Sequence, residues 1–434
     1  MDDVLVIGAG ISGLACAHAL GARRRVRVLE AAPRAGGLVQ GGTQDGFRWE
    51  EGPEALPPGA AAVRALCSEL ALPIMEAPAA AARRYVLHEG ALVEVPASPP
   101  ALLASRLFSL RGKLRLLSEP LRARGVALHG SIADFVRHRL GQEFLERLVD
   151  PLVGGIHAGD AEELSFQACF PEAAELVARH GTVLAALRAR VATREPGAPR
   201  ALWKPRAGMQ ALVDALASAL GARLELGRRV QGIVPLADGF RVDLADGSSS
   251  SAHAVVLATP LAAARALLAE VAPAAAQALT TMGAENLVSV VHAWRRADVV
   301  HALDGFGYLV PSRGGSPVLG TLFSSSLWPS AAPEGCVLLR TLLGGARHAR
   351  LHALDDAELH EIALAEARTR LGARGKPLLV RLARYPAVIP RLDCGHALRL
   401  ATLARELPPG LAVLGNFTRG IGLARLVSEA RALA

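Results

Sequence analysis

The first residues with recognisable chemistry are three glycines and an acid near the start of the chain. Gly8, Gly10 and Gly13 form a G-x-G-x-x-G pattern, and Glu30 follows 17 residues after Gly13. This pattern lets a pyrophosphate approach the backbone closely, and the acid accepts hydrogen bonds from a ribose. These four residues therefore predict a dinucleotide site.

The elements that would position these residues are also visible in the sequence. Residues 4–7 are an apolar run typical of a buried parallel strand, residues 26–29 are predicted to be a second strand, and residues 14–20 have a helix-forming composition. Strand, glycine turn, helix, strand and acid follow in the order that the site requires. The helix N-terminus would offer free N–H groups to the phosphates. An ordinary glycine-rich turn between a strand and a helix is the alternative interpretation.

A second glycine-rich segment extends the predicted cofactor site. Arg34 precedes the pair Gly36 and Gly37, and Gly52 and Pro53 follow a short predicted strand. Glycines again allow close backbone approach, and Arg34 is expected to meet a phosphate or an adenosine hydroxyl. We therefore assign all five residues to the cofactor site.

The same order of elements returns near the last residues. The apolar run 411–414 leads into Gly415 and Asn416, and Gly420 and Gly422 open a final predicted helix. This would place a second positive helix end against the cofactor. The apolar strand around residues 255–258 is expected to rejoin the first sheet, so the nucleotide domain is predicted to be discontinuous.

Composition narrows the function classes. The 434 residues carry a formal charge of +8, and 51% are hydrophobic but only 4% aromatic. The charge suits anionic ligands or lipids, whereas nucleic-acid binding is disfavoured because the basic residues are spread out without interleaved aromatics. Five cysteines without a C-x-x-C pair favour neither disulfides nor a zinc site, and we expect a cytoplasmic protein. Neither a signal peptide nor a transmembrane run is expected.

Residues 97–195 are predicted to be mainly helical. Leucines recur there every three or four residues, at positions 103, 107, 110, 114, 117 and 121, with several arginines between them. Such a basic amphipathic stretch either lies on an anionic membrane surface or is a solvated face of a packed helix. Residues 150–160 are predicted to be a glycine-rich loop and residues 194–199 an exposed connector. From residue 287 onward, strands and a helix predict a second, α+β lobe.

By its motifs, the chain resembles the oxygen-dependent protoporphyrinogen and coproporphyrinogen oxidases, which are FAD enzymes related to flavin amine oxidases. The resemblance covers nearly the full length. The acid, the glycine pair and the following G-P turn are typical of such flavoproteins and not of nicotinamide dehydrogenases. The other motifs are RYVL at residues 84–87, VPASPP at 95–100, VDP at 149–151, AGD at 158–160, GMQAL at 208–212, GFGYLVP at 305–311, residues 320–329, YPAVIP at 385–390 and GH at 395–396.

The resemblance implies an α/β and α+β architecture with three lobes. They are a discontinuous, Rossmann-like FAD-binding domain (residues 1–80, 205–262 and 385–434), a mixed-sheet substrate domain (81–96 and 263–384) and a mainly helical, membrane-facing domain (97–204). It also assigns Val230 to the FAD site.

The resemblance further implies a six-electron oxidation of a porphyrinogen in haem biosynthesis, with O2 as oxidant and H2O2 as product. Protoporphyrinogen IX is the expected substrate. The alternatives are coproporphyrinogen III, another amine oxidase-like or desaturase-like reaction, and a tetrapyrrole-binding flavoprotein without turnover. The flavin carries the chemistry, so we assign no catalytic side chain and no metal. Contact with the inner face of the cell membrane, contact with the next haem-pathway enzyme and a homodimer are further expectations.

Four residues carry the expected substrate site. Arg84 occupies the position of the family's substrate-anchoring arginine, Tyr85 stands where an aromatic stacks on the macrocycle, and Gly307 and Leu309 match positions that line the pocket. A surface arginine at a strand end is the alternative for Arg84. For His157 and His396, outside this set, a structural hydrogen-bonded role is preferred over that of a general base.

The chain departs from the family pattern at two places. Arg391-Leu392 replaces the usual Gln-Tyr, and Ala424-Arg425 replaces the usual Asn-Asp. Both lie in segments that the family places near flavin or substrate. The two arginines are interpreted as additional carboxylate anchors, as a change in substrate choice, or as signs of divergence.

Overall fold

The computed structural model describes residues 1–122, 130–192 and 200–434. The predicted connector 194–199 lies outside the described residues. The strands are β1 (Asp2–Ile7), β2 (Val26–Leu29), β3 (Gly41–Gln44), β4 (Phe47–Glu50), β5 (Ile74–Glu76), β6 (Tyr85–His88), β7 (Ala91–Glu94), β8 (Trp203–Pro205), β9 (Leu224–Glu225), β10 (Val230–Leu236), β11 (Gly239–Leu244), β12 (Ser249–Leu257), β13 (Ala284–Arg295), β14 (Gly307–Leu309), β15 (Val318–Leu322), β16 (Cys336–Gly344), β17 (Leu379–Pro390) and β18 (Leu411–Val413).

The α-helices of the same residues are α1 (Ile11–Leu20), α2 (Ala61–Glu69), α3 (Pro99–Ala104), α4 (Leu110–Leu117), α5 (Glu119–Arg122), α6 (Ile132–Arg139), α7 (Gln142–Phe144), α8 (Asp150–His157), α9 (Phe166–Cys169), α10 (Pro171–His180), α11 (Val183–Ala192), α12 (Gln210–Leu220), α13 (Leu261–Val271), α14 (Pro273–Thr280), α15 (Ser324–Leu327), α16 (Asp356–Leu371), α17 (His396–Glu406), α18 (Asn416–Arg419) and α19 (Leu423–Leu433). A π-helical turn, Leu145–Val149, joins α7 to α8.

The first sheet confirms the doubly wound nucleotide fold. Strands β18, β12, β1, β2 and β9 run parallel side by side, and β10 and β11 continue the sheet beside β12. Val4 and Val6 of β1 pack into a core with α1, α2, α12 and α19, whereas Leu5 and Ile7 pack into a second core with α13, α14 and α17. The run of apolar residues in β1 is explained by burial on both faces.

The second sheet is mixed. Its order is β17-β13-β16-β15-β14-β6-β7, in which β14 and β6 are parallel and the other pairs antiparallel. Helix α16 covers one face through a core of Val, Leu and Ala side chains. The other face contributes Val291 and Leu338 to a core that also contains Phe47 and Trp49 of β4 in the first lobe.

The core of the first sheet extends past residue 262, the predicted boundary of the cofactor lobe. Helices α13 and α14, which a boundary at residue 262 assigns to the substrate lobe, bury Ala264, Leu268, Ala275 and Leu279 in the core of the first sheet. Amphipathic helices follow the apolar surface that they can cover, so this packing favours a boundary after Met282.

The helical region spans α3–α11. Its core is organised around Ile132, Phe135 and Phe166, and a buried ion pair joins Arg139 to Glu119 at 3.2 Å. Throughout the described residues, none of the helices combines the length and the apolar character needed to cross a lipid bilayer.

The glycine-rich loop predicted for residues 150–160 is wrong in part, because residues 150–157 form helix α8. The helix ends at Ala158, which has a left-handed φ of 48°. Gly154 and Gly155 serve close packing and not a turn. A Cβ on Gly154 would stand 2.7 Å from the guanidinium of Arg347, and one on Gly155 would overlap a methyl group of Leu309.

Candidate active site

The predicted dinucleotide residues meet at one edge of the first sheet. Gly8 follows β1, Glu30 follows β2 and Gly415 follows Leu414 at the end of β18, and the carboxyl ends of these parallel strands share one edge. In open α/β sheets, ligands bind outside this edge. The structure therefore brings together the two halves of the predicted cofactor site, which are separated by almost the whole chain.

The glycine turn is shaped by close backbone approach. Gly8 has φ 104°, and a Cβ there would lie 2.5 Å from the carbonyl oxygen of Ala258, while a Cβ on Gly13 would overlap the carbonyl oxygen of Gly8. Gly10 is the N-cap of α1 and supplies no side-chain cap, and the first turn holds no acid. The first N–H groups of a ten-residue helix are thus left for a phosphate.

The second glycine segment packs against the first. The N–H of Gly36 donates to the carbonyl oxygen of Ala9 at 2.8 Å, and Gly37 approaches Gly10 so closely that a Cβ would lie 3.3 Å from its Cα. Arg34 braces this segment by donating to the carbonyl oxygens of Ala35 and Gly37. Two adjacent glycine segments form the cradle that a pyrophosphate requires.

Glu30 holds the turn in place. Its carboxylate accepts from the N–H of Ala9 at 2.7 Å and from the N–H of Ala32 at 2.8 Å. The segment before Val230 lies beside it, because the N–H of Arg228 donates to the carbonyl oxygen of Glu30 at 2.7 Å. Each carboxylate oxygen has a further lone pair that could accept a hydrogen bond from a ribose hydroxyl. Ribose binding by Glu30 therefore stays a prediction, and the position of Glu30 suits it.

Gly52 and Pro53 belong to the turn that follows β4. A Cβ on Gly52 would overlap the carbonyl oxygen of Leu38, which places this turn directly beside the Gly36–Gly37 segment. On the closing side, the amide of Asn416 donates to the carbonyl oxygen of Val388 at 2.7 Å and ties the segment to β17. Gly420 and Gly422 flank the start of α19.

Leu309, one of the predicted substrate residues, lies in a row of residues on one face of the second sheet. Leu309 pairs with Gly320, Gly320 with Leu342, Leu342 with Ser289, and Ser289 with Ala383. Residues in such register present their side chains on the same face. Leu309 and Leu342 are partly exposed. The other three residues of this row have small side chains, so the row forms a shallow surface. Gly307 lies in the neighbouring row, opposite Leu322.

Arg84 and Tyr85 have different surroundings. The guanidinium of Arg84 lies 5.3 Å from the ring of Phe306 and donates to the carbonyl oxygen of Ala82, and burial lowers its pKa. Tyr85 donates its hydroxyl to Asp304 at 2.8 Å and packs its ring against His301 on the α16 side. Tyr85 is therefore committed to the core, and the predicted stacking on a macrocycle has no support in these contacts.

The arginines at the two departures from the family pattern are both paired. Arg391 binds Glu285 at 2.7 Å and Glu163 at 3.2 Å, and Arg425 lies 3.4 Å from Glu172. An arginine that is already paired with a protein carboxylate attracts a substrate carboxylate less strongly, because its charge and its N–H donors are engaged. These contacts favour divergence over additional anchors.

The two histidines differ from each other. His396 has a ring nitrogen 3.3 Å from the carbonyl oxygen of Thr418, in line with a structural role. The prediction of a hydrogen-bonded His157 is wrong, because neither ring nitrogen has a hydrogen-bond partner within the described parts of the chain. Burial lowers the pKa of His157 to about 4, and its ring packs edge-on against Phe170.

Two residues near the cofactor edge were missed by sequence reasoning. Arg340 of β16 is buried and reaches the turn after β4, and an arginine inside the apolar run Val337–Leu343 was the signal that could have revealed it. Tyr385 of β17 has a buried hydroxyl with no hydrogen-bond partner among the described residues, and burial raises its pKa to about 12.

Comparison with known proteins agrees with this site. The model of the family "Flavin containing amine oxidoreductase" matches residues 11–392. This chain belongs to that family. It is an oxidoreductase that uses FAD, and the two glycine segments, the free N-terminus of α1 and the closing segment fit the dinucleotide of that cofactor.

The relatives and a solved structure define the position within the family. A chloroplastic protoporphyrinogen oxidase of Nicotiana tabacum is 33% identical over 99% of this chain and 84% of its own length. A coproporphyrinogen III oxidase of Propionibacterium freudenreichii is 32% identical over 99% and 89%. A crystal structure from an Exiguobacterium species superposes with a TM-score of 0.86 at 22% identity, covering 99% of this chain and 97% of that one. The chain is thus a member of the porphyrinogen oxidase group of this family.

Proposed function

We propose that this protein oxidises a porphyrinogen, protoporphyrinogen IX, to the porphyrin. Three successive oxidations each remove two electrons and two protons, and each pair of electrons and protons converts one O2 to H2O2. The observation that carries this proposal is Arg84, an exposed guanidinium that has no carboxylate partner among the described residues and lies next to the substrate-facing row of the second sheet. The names of the relatives from Nicotiana tabacum support the same reaction.

The surroundings of Arg84 suit a carboxylate of the substrate. Within the described ranges, no carboxylate lies within ion-pair distance of Arg84, whereas its neighbour Arg83 binds Asp304 at 2.5 Å. Val86, two residues after Arg84, is the register partner of Leu309. Since side chains alternate along a strand, Arg84 and Val86 face the same side as Leu309. A guanidinium in that place gives a propionate a directed, charge-assisted hydrogen bond.

The rest of the proposed pocket orients a flat substrate and keeps water out. The row from Leu309 to Ala383 offers a shallow apolar surface, and Phe306 and Leu322 continue it. When bound, FAD accepts a hydride from a carbon of the substrate. We assign no general base to this face, so the part of the chain is to hold the propionate with Arg84 and to shield the macrocycle with these apolar groups.

Coproporphyrinogen III is the second candidate substrate, as the name of the Propionibacterium freudenreichii relative suggests. It carries four carboxylates against two in protoporphyrinogen IX. Because Arg391 and Arg425 are already engaged by Glu285, Glu163 and Glu172, few cations are left for additional carboxylates. The pairing of these arginines therefore favours protoporphyrinogen IX, which has two carboxylates, as the substrate.

A fluorescence assay tests the proposal. Purified protein with FAD is incubated in air with protoporphyrinogen IX in one arm and coproporphyrinogen III in the other, and porphyrin fluorescence is followed. We expect a faster gain with protoporphyrinogen IX and one H2O2 for each two electrons removed. No gain above autoxidation in either arm would reject the proposed reaction, and a gain restricted to coproporphyrinogen III would select the second candidate.

We also propose that the helical region contacts an anionic lipid surface, which for a cytoplasmic protein is the inner face of the cell membrane. Four leucines on α4 and α5 are more than half exposed, at 74% for Leu110, 59% for Leu114, 55% for Leu117 and 83% for Leu121. Arg111 on the same helix is exposed as well. Apolar side chains beside cations are what an anionic interface binds.

Liposome co-sedimentation tests this contact. The double change Leu114→Glu and Leu121→Glu is expected to abolish sedimentation with anionic vesicles, because it removes apolar contact and adds repulsion. Leu398→Glu is the matched control, since Leu398 is 73% exposed on α17 and outside this surface. Equal partitioning of the unmodified protein with anionic and neutral vesicles would contradict the proposal.

A further inference from the structure

Arg340 is an arginine buried inside the second sheet. Only 5% of the residue is accessible, and most of its neighbours along β16 are apolar. Burying a guanidinium is costly unless its N–H groups are satisfied. The position therefore requires an account of what this cation binds.

The guanidinium of Arg340 bridges the two lobes. Its Nε donates to the hydroxyl of Ser289 at 2.7 Å within the second sheet. Its two terminal nitrogens donate to the carbonyl oxygens of Gly52, at 2.6 Å, and of Glu51, and one also contacts the carboxylate of Glu54 at 3.3 Å. Three partners thus belong to the turn after β4, in the cofactor lobe.

The two structures joined by Arg340 are the ones that must meet for the reaction. The turn holds Gly52, which is predicted to contact FAD and packs beside the Gly36–Gly37 segment. Ser289 lies in the row that runs from Leu309 to Ala383. Both bridging contacts start from one planar, rigid group, which fixes orientation as well as distance.

The charge of Arg340 is paired with a single carboxylate. Glu54 is its one carboxylate partner among the described residues, and the pair is 6% and 7% exposed at the side chains. The nearby Glu50 is already bound to Lys204 at 2.8 Å. Removing the guanidinium would leave Glu54 as a buried, unpaired charge near the cofactor turn.

We propose that Arg340 is the positioning residue that fastens the flavin-contacting turn to the substrate-facing sheet, and that its charge favours the reduced over the oxidised flavin. This rests on FAD binding and on Gly52 as an FAD contact, and not on the identity of the substrate. Hydride transfer depends steeply on the distance between the reacting atoms, so the bridge sets a distance to which the reaction is sensitive.

The test compares three variants of the full chain without any substrate. Arg340→Gln removes both the positive charge and the planar set of N–H donors. Arg340→Lys keeps the positive charge but not the planar set of donors. Arg384→Gln is the control, because Arg384 binds Asp356 and the carbonyl oxygens of His352 and Leu354, all within its own lobe. FAD affinity is measured by titration after removal of the flavin, and the flavin midpoint potential by reductive titration of the reloaded protein.

For Arg340→Gln we expect at least a tenfold weaker FAD affinity. We also expect at least a tenfold lower ratio of affinities for reduced over oxidised flavin, equal to about 30 mV for a two-electron couple. Arg340→Lys should restore the ratio but not the affinity, and Arg384→Gln should change neither. If Arg340→Gln keeps both within threefold, the proposal is overturned.

A second variant covers the case in which Arg340→Gln does not fold. Glu54→Gln leaves the guanidinium of Arg340 without its carboxylate partner. The ratio of affinities for reduced over oxidised flavin should therefore rise at least threefold. An unchanged ratio would overturn the electrostatic part of the proposal whatever the protein does with porphyrinogens.

Discussion

Arg83 and Arg84 show how neighbouring residues of one type can have different roles. Arg83 is bound to Asp304, whereas the guanidinium of Arg84 contacts a backbone acceptor and the face of Phe306. A guanidinium without a carboxylate partner among the described residues is available to a ligand, because a bound carboxylate can accept charge-assisted hydrogen bonds from N–H groups that otherwise face water. The availability of Arg84 is therefore a property of its surroundings.

The first prediction follows from this difference. Arg84→Ala should raise KM for the porphyrinogen by about tenfold or more with a small change in kcat, because a charge-assisted hydrogen bond of about 1.5–3 kcal/mol is lost equally from ground and transition states. Steady-state fluorescence kinetics measure both constants. Arg83→Ala is the matched control and should leave KM within twofold. An unaltered KM for Arg84→Ala would exclude it as the anchor.

At this scale the sequence indicated residue types better than their partners. Arg84 could be selected from its motif, whereas the pairing of Arg391 with Glu285 could not, because the two are 106 positions apart and meet only when β13 pairs with β17. The sequence likewise did not indicate that the ring of Tyr85 packs on the α16 side of the second sheet. The hydroxyl partner of Tyr85, Asp304, comes from a distant segment.

Among the elements, helix α8 links the helical region to the substrate sheet. Arg347 reaches α8 and binds Asp150 at 2.6 Å, while the N–H of Ser312 donates to the same carboxylate at 2.8 Å. The helix lies close enough for Gly155 to touch Leu309. A glycine-rich sequence formed a helix here because tertiary contacts outweigh the modest intrinsic cost of glycine in a helix.

The second prediction concerns Gly154. Alanine normally stabilises a helix interior relative to glycine by about 1 kcal/mol. Here Gly154→Ala should instead lower the free energy of unfolding by about 1–3 kcal/mol, because the new methyl group meets an arginine that Asp150 holds in place. Urea denaturation measures the change. Gly59→Ala, where a Cβ meets no atom within 4 Å, should not destabilise; equal losses in the two variants would contradict the packing argument.

Strands and helices with strong apolar periodicity, such as β1, β12 and α19, could be predicted from the sequence because burial on a known face determines their pattern. The short irregular helices α3, α4 and α5 could not be separated in advance. Leu107 recurs in register with the exposed leucines, yet it is fully buried against Phe108 and Val86. The leucines of this series look alike in the sequence. Leu107 is the one that packs against the β6–β7 hairpin, and the sequence pattern does not indicate this contact.

For the whole molecule, buried imidazoles make stability depend on pH. His292 of β13 packs against Trp294 of the same strand and against His360 of α16. Burial lowers its pKa from 6.5 to about 3. The folded protein therefore holds His292 neutral where the unfolded chain binds a proton, so stability is full above about pH 6.5 and is lost as the pH falls toward 3.

The third prediction tests this dependence. His292→Gln should reduce the slope of unfolding free energy against pH, between about 6.5 and 4, by up to about 1.4 kcal/mol per pH unit, because one linked proton is removed. Urea titrations at several pH values with saturating FAD measure the slope. His180→Gln is the control, since His180 is exposed at the end of α10. The same slope in both variants would refute the assignment.

The assembly of the first sheet has a consequence for how the protein is made. β18 pairs with β12, and α19 packs Leu423, Val427 and Ala430 into the core that α1 also fills. A ribosome delivers these segments after every other part of the cofactor lobe. The apolar surface of α1 is therefore left without this cover until then, and the flavin site is complete only after β18 and α19 have been synthesised.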